Sequence, residues 1–384
     1  MARTDVIKPY LFASIDARLS NLRKSGVNII SFGVGDPDSP PPPELRRKLS
    51  ELVLAPDMHN YSPYEGTERF RQAAADYMKR RYGLTFNASS EVVGLIGSKE
   101  GIGNVFIAYT EEGTINLVPS LAYPIPATLT GVCGGIVHSM PARSSNGFLP
   151  DFDEIPRETA KKARLLYLNY PNNPTGVSAD FEFYEKALNF AVENDLIIIH
   201  DNAYEEIWYT QKPISMFELD GAKERVVEFH SLSKMFNITG WRLAFACGNA
   251  ELLKPLKTMK TNMDSGQFKP LQHAAAWGLD ELIDDFGASQ RKTYSIRLAR
   301  MRSALEGIGC EVPTPGGTFF LWGRVPSGMT SAEFTEMLLE KYGIFITPGH
   351  MFGAEGEGFF RASLTVSDAL LDQALARIDS GRIL

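Results

Sequence analysis

The chain has 384 residues, 44% of them hydrophobic and 22% charged, enough apolar material for a large core in two domains of ordinary size, which excludes disordered and fibrous classes. With a formal net charge of -7 and only short basic clusters, Lys79-Arg80-Arg81 and Lys161-Lys162, that read as solvated helix faces, no nucleic-acid partner is expected; no stretch approaches about 18 uninterrupted apolar residues, so no membrane partner is expected either. Cys133, Cys247 and Cys310 are an odd, widely spaced set that fits no disulfide framework and no metal site, and residues 1–18 lack a signal-peptide core, which together point to a cytoplasmic protein.

In chain order, the first element is a proline run at 40–43 that turns the backbone at a domain edge, and the N-terminal segment 1–45 is expected to cross back and pack with a small domain. Short apolar runs at 92–96, 114–118, 163–168, 196–200, 225–229 and 243–247 then alternate with amphipathic helical stretches, several runs closing on Gly, Pro, Asn or Ser. This alternation predicts an α/β large domain over 46–275, with a mostly parallel central sheet covered by helices on both faces. Ligands bind such sheets beyond the carboxyl ends of the strands. From 276 to 384 the pattern changes to a helix over 279–308, a strand over 316–322 and a helix near 331–342, which predicts a smaller α+β domain.

The polar residues that follow the apolar runs are therefore the ones to weigh. After 225–229 comes His230-Ser-Leu-Ser-Lys-Met-Phe-Asn-Ile-Thr-Gly-Trp-Arg242. A lysine flanked by the hydroxyls of Ser231 and Ser233, with an arginine downstream, can be held beside a bound phosphate while its amine condenses with an aldehyde. Ser231, Ser233 and Arg242 would donate to phosphate oxygens, Arg242 through its rigid fork, and Lys234 would carry the Schiff linkage. Alone, the same string also describes a loop lysine among capping serines.

Run 196–200 delivers Asp201, with Tyr204 soon after. A pyridine nitrogen stays protonated, and its ring an electron sink, only with a fixed anion against it; Asp201 is the candidate, and a helix N-cap is the competing reading. Tyr204 can reach the phenolic oxygen of such a ring. After 163–168, turn chemistry explains the prolines and Gly176 in Asn169-Tyr-Pro-Asn-Asn173-Pro-Thr-Gly176. It does not explain the set, in which Asn173 offers a neutral amide to the same phenolic oxygen.

Taken together and in this order, the three pieces resemble the fold-type I, class I/II aminotransferases, from about Tyr10 to the end of the chain. The resemblance implies a three-layer PLP-transferase fold and pyridoxal 5'-phosphate (PLP) as cofactor on Lys234. It further implies transfer of an amino group from an amino acid to a 2-oxo acid, with Lys234, Asp201 and Tyr204 as the catalytic set. Tyr123 resembles the aromatic that stacks on the cofactor ring. Ser98 and Lys99, in Gly97-Ser-Lys-Glu-Gly101, fall at a strand-to-helix junction suited to a phosphate. Tyr61 resembles the tyrosine that reaches the neighbouring subunit's cofactor, which implies a homodimer with shared active sites.

On the substrate side, Arg361 resembles the arginine that grips the α-carboxylate, with Asn173 beside it, and Gly35 the glycine whose backbone lies against that group. Ala244 departs from the family's usual glycine, a matter of backbone packing. The stretches 97–102, 260–268 and Thr347-Pro-Gly349 look most like LL-diaminopimelate aminotransferases. Their long substrate would place its distal carboxylate at Lys99, near Tyr10. Tyr64 stands where many of them have a glutamate, so recognition of a distal ammonium is not implied. The motifs bind a cofactor without fixing the reaction, and elimination, replacement or carbon–carbon bond formation is the alternative on the same scaffold.

Overall fold

The computed structural model describes residues 11–24 and 26–381. Helix α1 (Leu11–Lys24) leads to the short strand β1 (Ile30–Ser31) and to α2 (Pro43–Val53), which opens on a proline where no helical N–H partner is lost. Helix α3 (Glu68–Tyr82) begins at Thr67, whose hydroxyl accepts from Phe70 N, and stops at Gly83 in the left-handed region (φ 75°). Strands and helices then alternate through β2 (Val92–Leu95), α4 (Ser98–Tyr109), β3 (Ile115–Pro119), α5 (Ile125–Val132) and β4 (Ile136–Met140). The series continues with α6 (Arg157–Ala160), β5 (Ala163–Leu168), α7 (Phe181–Glu193), β6 (Ile197–Asp201), β7 (Val226–Ser231), the one-turn α8 (Leu232–Met235) and β8 (Ala244–Gly248). Three helices follow, α9 (Ala250–Met263), α10 (Lys269–Glu281) and α11 (Ile283–Gly307). The chain closes with β9 (Phe320–Arg324), α12 (Ser331–Tyr342), β10 (Ile344–Phe345), β11 (Thr347–Pro348), β12 (Phe359–Ser363) and α13 (Asp368–Ser380).

Seven strands form one sheet in the order β2-β8-β7-β6-β5-β3-β4, parallel throughout except for β8, which runs antiparallel to both neighbours. Alternation along the strands sends Ile198 and Val226 into a core shared with α2, α3, α7 and α10, and Ile199 and Val227 into a core shared with α4 and α9. This is the three-layer α/β arrangement expected from the sequence. Strand β4 was not among the expected runs; it is a partly exposed edge strand carrying His138 and Ser139, so its period is weak.

A separate core gathers Ile30 and Phe32 with Leu298, Phe334, Phe360 and Leu371, around the antiparallel sheet β11-β12-β9 and the parallel pair β1-β10. The helix expected over 279–308 is two helices broken at Leu282 (φ -120°). Helix α10 packs on α2 and α3 while α11 packs on α13, and one straight rod cannot serve both. The seam expected at 275/276 falls inside α10, whose Leu279 belongs to the sheet's core. The strand expected over 316–322 starts only at Phe320, because Thr318 takes a left-handed φ of 69° and donates its N–H to Ile207 O, joining the loop after β6 instead. Among the described residues no helix is long and apolar enough to cross a membrane.

Candidate active site

Parallel strands β5, β6 and β7 end at one edge of the sheet, and each delivers one of the sequence motifs there. At the end of β6, Asp201 is buried, with Oδ2 accepting from Tyr167 OH at 3.0 Å and Oδ1 buried without a hydrogen-bond partner. Burial pushes its carboxyl up to about 6, against the Tyr167 hydrogen bond and the nearby His200. No helix begins after Asp201, so the N-cap reading does not hold. A buried carboxyl with one oxygen left open fits a protonated ring nitrogen, which would supply the missing donor and the opposite charge.

Ser231, the last residue of β7, precedes the single turn α8 but makes no side-chain capping bond, so the capping-serine reading also fails. Ser231 and Ser233 are buried. Lys234 Nζ donates to Gly35 O at 3.0 Å and lies 5.5 Å from the centre of the Phe319 ring. Burial lowers its amine to about 8; Asp36 opposes the shift, and Arg242 and Arg361 add to it. Such an amine is partly neutral near pH 7 and can add to an aldehyde.

A third feature is the start of α4. Gly97 has φ 80°, and a Cβ there would collide with the Arg242 guanidinium, whose Cζ would lie 3.0 Å away. Arg242 is itself left-handed (φ 56°) and donates Nη1 to Thr239 O at 2.8 Å. Ser98 and Lys99 occupy the first helical turn, and the Lys99 amine is lowered by burial and by Arg242. Two cations converging on a helix N-terminus fit a phosphate, and the one acid of that turn, Glu100, is engaged by Ile96 N and Asn104 Nδ2. Ala244, the departure from the family's glycine, is fully buried in β8 opposite Leu95 and Ser231 and is accommodated there.

From the other core, β12 brings Arg361, buried, donating Nη1 to Asn173 Oδ1 at 2.8 Å and Nη2 to Gly33 O at 2.5 Å, and stacked over Phe320 and Phe352. Asn173 hydrogen-bonds to Tyr204, a phenol raised by burial and lowered in part by Arg361. A closed circuit of neighbours results. It runs from Lys234 to Arg361, Asn173, Tyr204, Asp201 and Tyr167, and returns through Tyr123, Lys99 and Arg242. Gly35 backs onto the Phe319 and Phe320 rings, where a Cβ would meet carbons at 2.8 Å. Tyr61 is 85% exposed and stands outside this circuit within the single chain, and Tyr64 is half-exposed. Tyr10 lies outside the described residues.

Sequence reasoning missed Tyr167, whose hydroxyl terminates an apolar strand face. It also missed Asp36, which accepts from Thr239 Oγ1 at 2.6 Å, and the Phe319-Phe320 pair against Tyr204. Strand alternation from Ala163 would have placed Tyr167 on the same face as Leu165.

Known proteins place this geometry. The chain matches the family described as Aminotransferase class I and II over residues 27–378. It is 45% identical to LL-diaminopimelate aminotransferase 2 of Nostoc sp. over 385 residues, covering 99% of this chain and 98% of that protein. It is 44% identical to the LL-diaminopimelate aminotransferase of Aquifex aeolicus, covering 98% and 97%. Substrate-bound BacF from Bacillus subtilis superposes with a TM-score of 0.93 at 34% identity, covering 98% of this chain and 96% of that one. Sequence, fold and side-chain arrangement agree, and the chain belongs to the class I and II aminotransferases, enzymes that use PLP to exchange an amino group between an amino acid and a 2-oxo acid.

Proposed function

We propose that this aminotransferase takes its amino group from LL-diaminopimelate or a similar long polar amino acid, as a cytoplasmic homodimer with shared active sites. The observation that carries the site reading is the circuit joining Lys234 to Asp201, with an open buried carboxylate oxygen on one side and an arginine from the second core on the other. Support for the donor comes from relatives so named, 42–45% identical over almost the whole chain. Support for the compartment is that Cys247 and Cys310 are buried free thiols. We read the chain as the segment 1–45, a large domain over 46–275 and a small C-terminal domain over 276–384, with Leu279 and Ile283, just past that seam, still packed in the sheet's core.

Bound PLP supplies an aldehyde for amines and a ring that draws electron density from the substrate's Cα. Every other task falls to side chains. Ser98, Lys99, Ser231, Ser233 and Arg242 hold the phosphate, and Tyr61, left in water in one chain, reaches the phosphate in the partner's site. Tyr123 would stack on the ring. Asp201 Oδ1 would accept the ring N–H and fix that charge, while Tyr204 and Asn173 would donate to the phenolic oxygen. Arg361 grips the α-carboxylate with both arms, Asn173 and the Gly35 backbone beside it, so the Cα–H bond faces Lys234. Lys234 Nζ, within reach of the Cα–H so oriented, would be the base that takes the Cα proton and holds it for return to the substrate–cofactor pair. Lys99, with Tyr10, meets the distal carboxylate. Tyr64 supplies no anion for a distal ammonium.

Two measurements test this. Lys234→Ala should lose all turnover together with the absorbance of the lysine-bound cofactor; retained activity would end the assignment. Stoichiometric additions of single amino acids without any 2-oxo acid should convert the cofactor's spectrum, LL-diaminopimelate most completely. If another amino acid converts it and LL-diaminopimelate does not, the donor reading fails and the family membership stands.

A further inference from the structure

Another set of ionisable groups lies on the far side of the seven-stranded sheet. Glu228 and His230 of β7 share a face with His200 of β6, opposite the face that presents Asp201 and Phe229. His230 Nδ1 is 2.6 Å from Glu205 Oε1, and Nε2 is 3.1 Å from Glu228 Oε1, within ion-pair range though off the hydrogen-bond line. Glu228 also accepts from Ser215 Oγ and Met216 N, both at 2.9 Å, and faces His200 Nδ1 at 2.8 Å, while His200 Nε2 meets Tyr184 OH at 3.0 Å. Glu205 Oε2 accepts from Tyr82 OH at 2.6 Å. Its neighbour Glu206 accepts from Tyr77 OH at 2.7 Å and Arg81 Nε at 2.8 Å and pairs with Arg291 at 3.3 Å. His200, His230, Glu205 and Glu228 are all fully buried.

Both nitrogens of His230 face carboxylate oxygens, which only an imidazole carrying hydrogen on each can satisfy. Charge balance agrees. Arg81 and Arg291 pair with Glu206, and Lys212 sits at the edge of the cluster over the Tyr82 ring, so among the described ion pairs the side chains of Glu205 and Glu228 are faced only by histidines, where an unpaired buried charge is costly. Glu205 directly follows Tyr204, and β7 leads straight to Lys234.

We propose that His230, held as an imidazolium between Glu205 and Glu228, is a positioning residue. It ties the Asp201–Tyr204 segment to the strand that delivers Lys234, and its charge, one residue from Asp201's register partner Phe229, favours the ionised Asp201 that would face the cofactor's ring nitrogen. The groups packed against it are Glu205, Glu228 and the Phe245 ring of β8, stacked at 4.5 Å. Around those carboxylates and His200 lie Tyr77 and Tyr82 of α3, Tyr184 of α7, Lys212 over the Tyr82 ring, Ser215 and Cys247. Burial alone would lower this imidazole; the two carboxylates overcome it and raise it to about 10. The Tyr167 hydrogen bond, His200, the Ala203 N–H and, least of them, His230 counter the burial that raises the Asp201 carboxyl.

The inference rests on the assignment of Asp201 to the ring nitrogen, and the tests separate the two. In holoenzyme labelled with 15N-histidine, one of the six histidine rings should still carry both N–H groups at about pH 8.5, about two units above the ordinary histidine value. His230→Gln should remove that signal. If every ring is singly protonated at that pH, the inference is overturned, and the wild-type measurement decides this even if the variant does not fold. For the role, the bound cofactor's absorbance is titrated with pH. His230→Gln should raise its midpoint and Glu205→Gln lower it, each by roughly tenfold in proton concentration, and the double variant should return toward wild type. A brace without electrostatic influence would lower Tm in both variants with the midpoint unmoved, which overturns the proposal. An Asp201→Asn holoenzyme with an unmoved midpoint overturns the site reading first and this inference with it.

Discussion

Asp201 shows how a single residue can oppose folding and serve binding. Its carboxyl is raised from 3.8 to about 6 by burial, so in cofactor-free protein the folded state holds that proton more tightly than the unfolded state. The resulting cost, about 3 kcal/mol for such a shift, is full above about pH 6 and disappears as the pH falls below the unfolded value. Cofactor-free Asp201→Asn should therefore be more stable than the parent at pH 7, by about 2–3 kcal/mol in denaturant titration, while binding PLP more weakly. A less stable variant at pH 7 would contradict the burial argument. The motif residues Lys234, Asp201 and Asn173 were legible in the sequence because polar groups directly after apolar runs have few structural uses. Tyr167 was not, since a tyrosine within an apolar run looks like core until its strand neighbour is known.

Among elements, the central strands were legible because burial on both faces leaves nearly continuous apolar runs. The break at Leu282 was not, because it follows from where α2, α3 and α13 lie. Arg81 likewise turns inward to Glu206 rather than to solvent, a partner 125 residues away that no local pattern announces. Long-range pairing also holds the loop after β1. Arg297 of α11 binds Asp38 through Nη1 at 2.6 Å and Nη2 at 3.1 Å, and Asp368 at the start of α13 through Nε at 2.8 Å. The Asp38 pair is mostly shielded, whereas the Asp368 side chain is 68% exposed and contributes little. Arg297→Met should cost about 2 kcal/mol by thermal melting, less than a fully buried pair would. It should also raise KM for amino-acid substrates by loosening Gly33–Gly35. A fall in kcat with KM unchanged would place its influence elsewhere.

At the scale of the molecule, composition and alternation made the α/β class and the second α+β region legible. The antiparallel insertion of β8 and the pairing of β1 with β10 were not, since both depend on contacts between distant parts of the chain. A single chain leaves Leu54, Tyr61, Met263 and Phe268 exposed, a set of apolar side chains whose cost in water a second copy would relieve. We expect a dimer in sedimentation. Mixing Lys234→Ala chains with Tyr61→Ala chains should restore part of the activity, because half of the hybrid's sites combine both native residues. A mixture no more active than its components would remove Tyr61 from the partner's site.

The pairing of Ile30 and Ser31 with Ile344 and Phe345, and the bond from Arg361 to Gly33, have a further consequence for biosynthesis. A ribosome has released every strand of the seven-stranded sheet well before it has released β10 or β12. With the site roles proposed above, the nascent protein would carry its reactive amine on a largely finished platform and gain the means to orient an amino acid only once β10 and β12 join β1 and the Gly33 loop.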